Sequence, residues 1–270
     1  MAGEVSRTEV VTGDKTIVFE TGRLAKQASG AVVVTSGDTM VLVTAVVAST
    51  ERNVDFFPLT VDVEAGMYAA GKIPGGFIKK EGRPSDQAIL NARLIDRPIR
   101  PLWPKGFNRE THIVATVLSV DRKNPYDVLA LAGASAALAL SEAPFQGPVG
   151  AVRVARVDGS WVVNPTYEEI DQSPVNLVVA GTSEAISMVE AGCEEVGEAD
   201  VLEGLEVAQQ AINQQVEAIR AWAAEVGAPK MEFAPKVADR ELVERIKSRF
   251  GSNIEEATSL VDKQERRAAL

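Results

Sequence analysis

Sulfur and imidazole are nearly absent from these 270 residues: there is one cysteine, Cys193, and one histidine, His112. A single cysteine excludes an internal disulfide and a thiolate cluster, which fits a reducing compartment. Nothing around Cys193 marks it as a nucleophile, and it reads as an ordinary small side chain. A single histidine excludes a multi-histidine metal site. His112 lies in Thr111-His112-Ile113-Val114, which alternates like a strand and predicts a structural role. No apolar run of about eighteen residues is present, so no membrane helix and no membrane partner are expected. The chain opens Met1-Ala2-Gly3-Glu4-Val5 with no apolar segment behind a basic one, so no secretory signal is expected either. The sequence predicts a soluble, cytoplasmic protein.

What the chain does have is ordinary in bulk and unusual in distribution. Hydrophobic content of 46% and charged content of 24% suit a globular protein of one large or two smaller domains. The net charge is −10, yet Gly71 to Arg109 holds nine Lys or Arg against three acids, a local +6 that leaves −16 for the remainder. A positive island on an acidic protein is hard to explain as solubility and points to a polyanion or phosphate. The alternative is that its arginines pair with the protein's own carboxylates at a subunit interface.

Within the island, Gly71-Lys72-Ile73-Pro74-Gly75-Gly76 reads as a loop. Phe77, Ile78, Lys79 and Lys80 follow, and with Arg83 they form a candidate RNA contact, where a base stacks on the aromatic ring while cations meet phosphates. The same four residues also fit a loop anchor with solvated neighbours. Pro84-Ser85-Asp86 starts a helix that Pro98 is expected to stop. Ile89, Leu90, Arg93, Leu94 and Arg97 follow helical spacing, which puts Arg93 and Arg97 beside the expected apolar face. Arginines in fixed geometry suit bidentate phosphate or carboxylate recognition.

The rest of the chain divides into a β-rich part and a helical part. Strands are predicted within Val10 to Phe19, Ala31 to Val47, Phe56 to Val63 and Ile113 to Val120, with hairpins at Gly13-Asp14 and Ser36-Gly37-Asp38. Pro58 marks an edge or a bulge. Val128 to Leu140 reads as a buried helix, apolar almost all round. A hairpin about Asp158-Gly159-Ser160 and strands at Asn176 to Ala180 and Ile186 to Glu190 follow. From Asp200 to Gly227 the spacing is helical, Lys230 to Val237 resembles a linker, and Asp239 caps a helix that Gly251 is expected to end. The remainder to Leu270 is polar and helical, and it stops without a closing signal, which suggests a longer parent chain.

Several blocks together resemble the first RNase PH-like core of the bacterial polynucleotide phosphorylase family. They include Phe56-Phe57-Pro58-Leu59-Thr60, Tyr68-Ala69-Ala70-Gly71-Lys72-Ile73-Pro74-Gly75, Glu81-Gly82-Arg83-Pro84-Ser85 and Ala92-Arg93-Leu94-Ile95-Asp96-Arg97-Pro98-Ile99-Arg100-Pro101-Leu102. Later blocks are Gly133-Ala134-Ser135, Pro144-Phe145-Gln146-Gly147-Pro148-Val149-Gly150, Leu177-Val178-Val179-Ala180-Gly181-Thr182 and Asp262-Lys263-Gln264-Glu265-Arg266. The resemblance implies an α/β (α+β) fold: an RNase PH-like core of mixed β-sheets packed with helices, over 1–227, then the start of an all-helical linker domain over 228–270.

It also implies an activity for the full-length protein, the 3′-to-5′ degradation of RNA by inorganic phosphate to nucleoside diphosphates, reversibly, as a polyribonucleotide nucleotidyltransferase. Mg²⁺ or Mn²⁺ would assist in a second core, inorganic phosphate would be co-substrate, and the partners would be single-stranded RNA, further copies in a homotrimer and other RNA-degradation proteins. In the family's active core an Asp-x-Asp-x-Lys run precedes a Val-Ala-Gly and a serine-rich turn holds phosphate. Here Pro174, Asn176 and Val178 stand in the first place and Pro125-Tyr126-Asp127 in the second. Asp127 would repel a phosphate, and little remains to hold a divalent ion. No catalytic or metal residue is therefore expected in this core, and the 270-residue fragment is expected to be inactive alone. By the same resemblance Phe77, Ile78, Lys79 and Lys80 grip RNA in a central channel, while Arg93, Arg97 and Arg100 divide between phosphate and interface. Two other readings fit the same residues: an assembly scaffold without RNA contact, and a self-sufficient phosphate-dependent nucleotidyltransferase.

Overall fold

The computed structural model of the chain describes residues 4–77, 81–233 and 239–270. Its backbone contacts separate two compact units, Met1–Phe233 and Ala234–Leu270. The first holds two sheets. Strands β1 (Ser6–Thr12), β2 (Lys15–Thr21), β3 (Gly30–Ser36), β4 (Thr39–Glu51), β5 (Leu59–Glu64) and β6 (Arg109–Ser119) form a six-stranded sheet in the order β1-β2-β3-β4-β6-β5. All its pairs are antiparallel except β5 with β6. A parallel pair needs a long crossover, and here the crossover contains the basic island up to Arg109, which opens β6. It carries α1 (Asp86–Ile99), which packs on β5.

Helix α2 (Asp127–Leu140) is buried at all fourteen positions and packs against β3 and β4 of this sheet. It also touches β7 (Gly150–Val157) of a second, antiparallel sheet. The other members are β8 (Ser160–Val163), β9 (Val175–Gly181) and β10 (Ile186–Cys193), in the order β10-β9-β7-β8, with the short α3 (Tyr167–Gln172) between β8 and β9. An apolar helix has no solvent face to offer, so the chain places it between two sheets. The approach is close: a Cβ on Gly30 of β3 would stand 2.0 Å from the Ala137 carbonyl oxygen. The β7–β8 hairpin turns through Asp158 and Gly159, at φ 49° and 80°, the left-handed pair that a two-residue turn requires. Helix α4 (Glu198–Val226) buries Ala208, Ile212 and Val216 in one cluster with residues of β7 and β9.

In the second unit α5 (Arg240–Ser259) and α6 (Lys263–Ala269) are capped by Asp239 and Asp262, whose carboxylates accept from backbone amides of the first turn. The mixed fold with a helical end was expected. Among the described residues no helix is long and apolar enough to cross a membrane.

Four expectations need correction. Pro98 does not stop α1, which continues to Ile99. In the last turn the missing N–H costs only a bond, and the cap is made instead by the Arg100 amide donating to the Asp96 carbonyl. The buried face of α1 is not the one marked by Ile89 and Leu90, which are exposed, but Ala88, Asn91, Ile95, Pro98 and Ile99. Both sets obey helical spacing; the true one contains a polar residue, which hid it. Gly251 lies within α5 instead of ending it. Lys230, read as the start of a linker, is anchored to the first unit: its Nζ donates to the carbonyls of Leu138, Ala139 and Ser141 at 2.9, 2.8 and 2.7 Å, which closes the end of α2. Residues 234–237 of that stretch lie outside the described residues.

Candidate nucleic-acid interface

The crossover from β5 to β6 begins with a short 3₁₀ turn, Met67–Ala70, that Gly71 ends at φ 67°. Glu81 folds back on this turn and accepts from the Met67 amide at 2.6 Å. Between them Ile73 and Phe77 project into solvent, almost fully exposed. Large apolar side chains held out on a cationic loop are poor anchors for the fold and good platforms for a ring. Ile78, Lys79 and Lys80, the other expected RNA contacts of this loop, lie outside the described residues. Arg83 is exposed and, with Glu64, Glu81 and Tyr68, lines an open cavity of about 550 Å³.

Arg93 and Arg97 of α1 and its C-cap Arg100 have different surroundings. Arg100 forks onto Asp96, with Nε and Nη2 donating at 2.9 and 2.5 Å, and also donates to the Phe57 and Leu59 carbonyls at 3.0 and 3.2 Å. It ties α1 to the entry of β5. Arg97 pairs with Glu190 of β10. Arg93 is exposed, and no ion pair or hydrogen bond holds its side chain among the described residues. Of the three, Arg93 is the one whose guanidinium is available for an outside anion.

A second cluster lies where the resemblance puts the chemistry of an active core. Asp127 opens α2 with Oδ1 accepting from the Val128 amide, and its Oδ2 pairs with Arg153 of β7. Arg153 also donates to Asn176 Oδ1 of β9 at 2.5 Å. Both charges are largely buried, and each neutralises the other. Val178 is buried in the core. These donors do not fit a divalent cation: the only carboxylate is already matched to a guanidinium, and Asn176 has given its oxygen to the same group. Nor do they leave a free cation for phosphate.

Around the pair is a cleft of about 420 Å³, lined by Gln87, Asn91, Tyr126, Asp127, Arg153, Tyr167, Ile170 and Asn176. Burial, reinforced by the Asp127 charge, pushes the Tyr167 phenol up to about 12 and raises that of Tyr126, so both stay neutral. The sequence reading missed Arg153, Tyr167, Gln87 and Asn91 as members of this cluster. One signal was available: Thr166 and Glu169 form a capping box that starts α3 and sets Tyr167 at the cleft.

Comparison with known proteins places this geometry. Residues 13–144 match the family described as 3′ exoribonuclease family, domain 1, and residues 147–211 match domain 2 of the same family. The polyribonucleotide nucleotidyltransferase of Heliobacterium modesticaldum is 50% identical over 94% of this chain and 36% of its own length. That of Desulforamulus reducens is 49% identical over 97% of this chain and 34% of its own length. The chain therefore spans about a third of these curated relatives. Among solved structures, an Archaeoglobus fulgidus exosome with RNA bound to the active site shares the fold, with a TM-score of 0.56 and 18% identity over 77% of this chain and 85% of that one. The two sheets, the buried α2 and the crossover helix are thus an RNase PH-like core, and the chain belongs to the 3′ exoribonuclease family.

Proposed function

We propose that this chain is the first RNase PH-like core of a phosphate-using 3′-to-5′ exoribonuclease, and that it guides RNA and builds the assembly without doing the chemistry itself. The observation that carries this reading is the contrast between its two clusters. On the crossover, Phe77 and Arg93 are exposed and open to a ligand. At the Asp127–Arg153–Asn176 cluster the charges are consumed internally. A strand of RNA meets cations and a ring in the first place.

In this reading the whole protein uses inorganic phosphate to release nucleoside diphosphates, with its divalent metal and catalytic residues in another core. Exposed Ile89 and Leu90 on α1 support a face covered in a homotrimer. Helices α5 and α6 open a helical linker domain. Lys79 and Lys80 add charge beside Phe77.

The test is binding of a fluorescent single-stranded RNA to this chain and to Lys79→Ala/Lys80→Ala across a salt series, with diphosphate release followed in parallel. Salt-dependent binding that the double substitution weakens, without diphosphate release, is the expected result. Phosphate-dependent diphosphate release by the 270-residue chain would overturn the non-catalytic assignment.

A further inference from the structure

Arg122 lies in the loop from β6 to α2 with its backbone at φ 60°, a left-handed conformation that suits glycine and costs a long side chain free energy. Its neighbours enforce that turn. The Asp121 carboxylate accepts from the amides of Lys123 and Asn124, the Val120 amide donates to the Ala69 carbonyl, and the Lys123 carbonyl accepts from the Tyr167 amide. The result is an exposed guanidinium on a pinned backbone. Its Nη2 donates to the Ala70 carbonyl at 3.3 Å, and among the described residues Nε and Nη1 have no partner and no ion pair holds the group.

Ala70 ends the 3₁₀ turn from which the Phe77 loop departs. Glu81 folds back onto Met67 of this turn, and Met67 and Tyr68 line the cavity that holds Arg83. Arg122 is therefore a cation fixed at the root of the loop, outside the Gly71 to Arg109 island that charge counting marks. Lys72 and Lys123 are exposed next to it along the two chain segments, and neither is ion-paired among the described residues. The acid between these cations, Asp121, is engaged by Lys123, Asn124 and Thr39. Arg122 lines neither the 550 Å³ nor the 420 Å³ cavity, so the anion it suits is extended and not enclosed. The chain from Ala70 to Phe77 reaches at most about 25 Å, close enough for one strand to meet both.

We propose that Arg122 is a further RNA contact, binding a backbone phosphate of the same strand whose base stacks on Phe77, with Lys72 and Lys123 adding charge beside it. The inference deepens the RNA-guiding reading and rests on it. A guanidinium with two free donors matches a phosphate oxygen pair. Contacts of this kind fix the path of the strand and carry no sequence information, so the site accepts single-stranded RNA of any sequence.

The experiment titrates the 270-residue chain, Arg122→Gly, Arg122→Lys, Arg7→Ala and Lys79→Ala/Lys80→Ala with a fluorescent oligouridylate across a salt series, with thermal unfolding of each. Glycine is at ease at φ 60°, so Arg122→Gly removes the cation without disturbing the loop, and its thermal midpoint should not fall. Its RNA affinity at low salt should drop about three- to tenfold, and its salt slope should shrink by about one. Arg122→Lys should recover the slope and part of the affinity. Arg7→Ala removes an equal charge from β1, at the sheet edge opposite β5, and should change neither. Three results would overturn the contact and leave the RNA-guiding reading standing, provided Lys79→Ala/Lys80→Ala still weakens binding. They are unchanged affinity and slope in Arg122→Gly, an equal loss in Arg7→Ala, or a loss of affinity at unchanged slope, which would assign Arg122 to holding the Ala70 turn. Absence of RNA binding by the unsubstituted chain would overturn both.

Discussion

Arg153 of β7 is held against Asp127 in the first turn of α2, with side-chain exposures of 13% and 8%. Neither charge could stay in so dry a place alone. Arg153→Met should therefore cost about 3–5 kcal/mol, because it strands a buried carboxylate. Asp127→Leu combined with Arg153→Met should cost clearly less than the two single changes together. Urea unfolding of the four proteins measures the coupling. Additive losses would show that the two side chains act independently.

The two arginines of α1 and its C-cap Arg100 should separate by assay. Arg93→Ala is expected to leave the unfolding midpoint unchanged while it lowers RNA affinity and reduces the salt slope by about one. Arg100→Ala removes bonds to Asp96, Phe57 and Leu59, and should cost about 1–2 kcal/mol in stability. Arg97→Ala breaks an exposed pair with Glu190 and should cost under about 1 kcal/mol. Thermal unfolding and RNA titration on the same three proteins decide it. Equal RNA losses for Arg93 and Arg100 at equal stability would refute the division.

Phe77 offers the same separation on the loop. It is fully exposed and contributes nothing to the core, so Phe77→Ala should leave stability within about 0.5 kcal/mol. RNA binding should weaken by about 1–3 kcal/mol if a base stacks there. A Leu substitution, which keeps the apolar area but removes the ring face, should recover little of it. Full recovery by Leu would mean plain hydrophobic contact.

Hairpins and the buried helix were legible in the sequence because their signals are local. Gly37-Asp38 and Asp158-Gly159 name their turns, and α2 has no polar face to misread. The face of α1 was not legible. Ile89 and Leu90 mark a stripe by hydrophobicity, yet the helix turns Asn91 inward, and nothing local explains a buried amide. The pairing of Asp127 with Arg153 spans 26 residues and depends on β7 lying beside α2, a relation fixed by tertiary packing. That Pro174 and Asn176 stand where the resemblance expects carboxylates, and Val178 where it expects a lysine, could be read one residue at a time. What fills the site instead could not.

Asp121 gives a pH test of a different part of the fold. Its carboxylate gathers the loop before α2 by accepting from the amides of Lys123 and Asn124, from Asn124 Nδ2 and from Thr39 Oγ1. Burial alone would raise its pKa, but these donors prevail and hold it at about 2, below an ordinary 3.8. A carboxylate depressed in the folded state contributes stability that is fully present above the unfolded value and is lost as pH falls from there toward the folded one. Thermal midpoints of the wild-type chain and Asp121→Ala should therefore differ by a constant amount from pH 7 to about pH 5. Between about pH 4 and pH 2 the gap should narrow, as the carboxylate that distinguishes them is neutralised in both states. Other carboxylates titrate in the same range, but they are common to both proteins and cancel in the difference. A gap that persists undiminished at pH 2 would mean that Asp121 holds the loop by shape instead of charge.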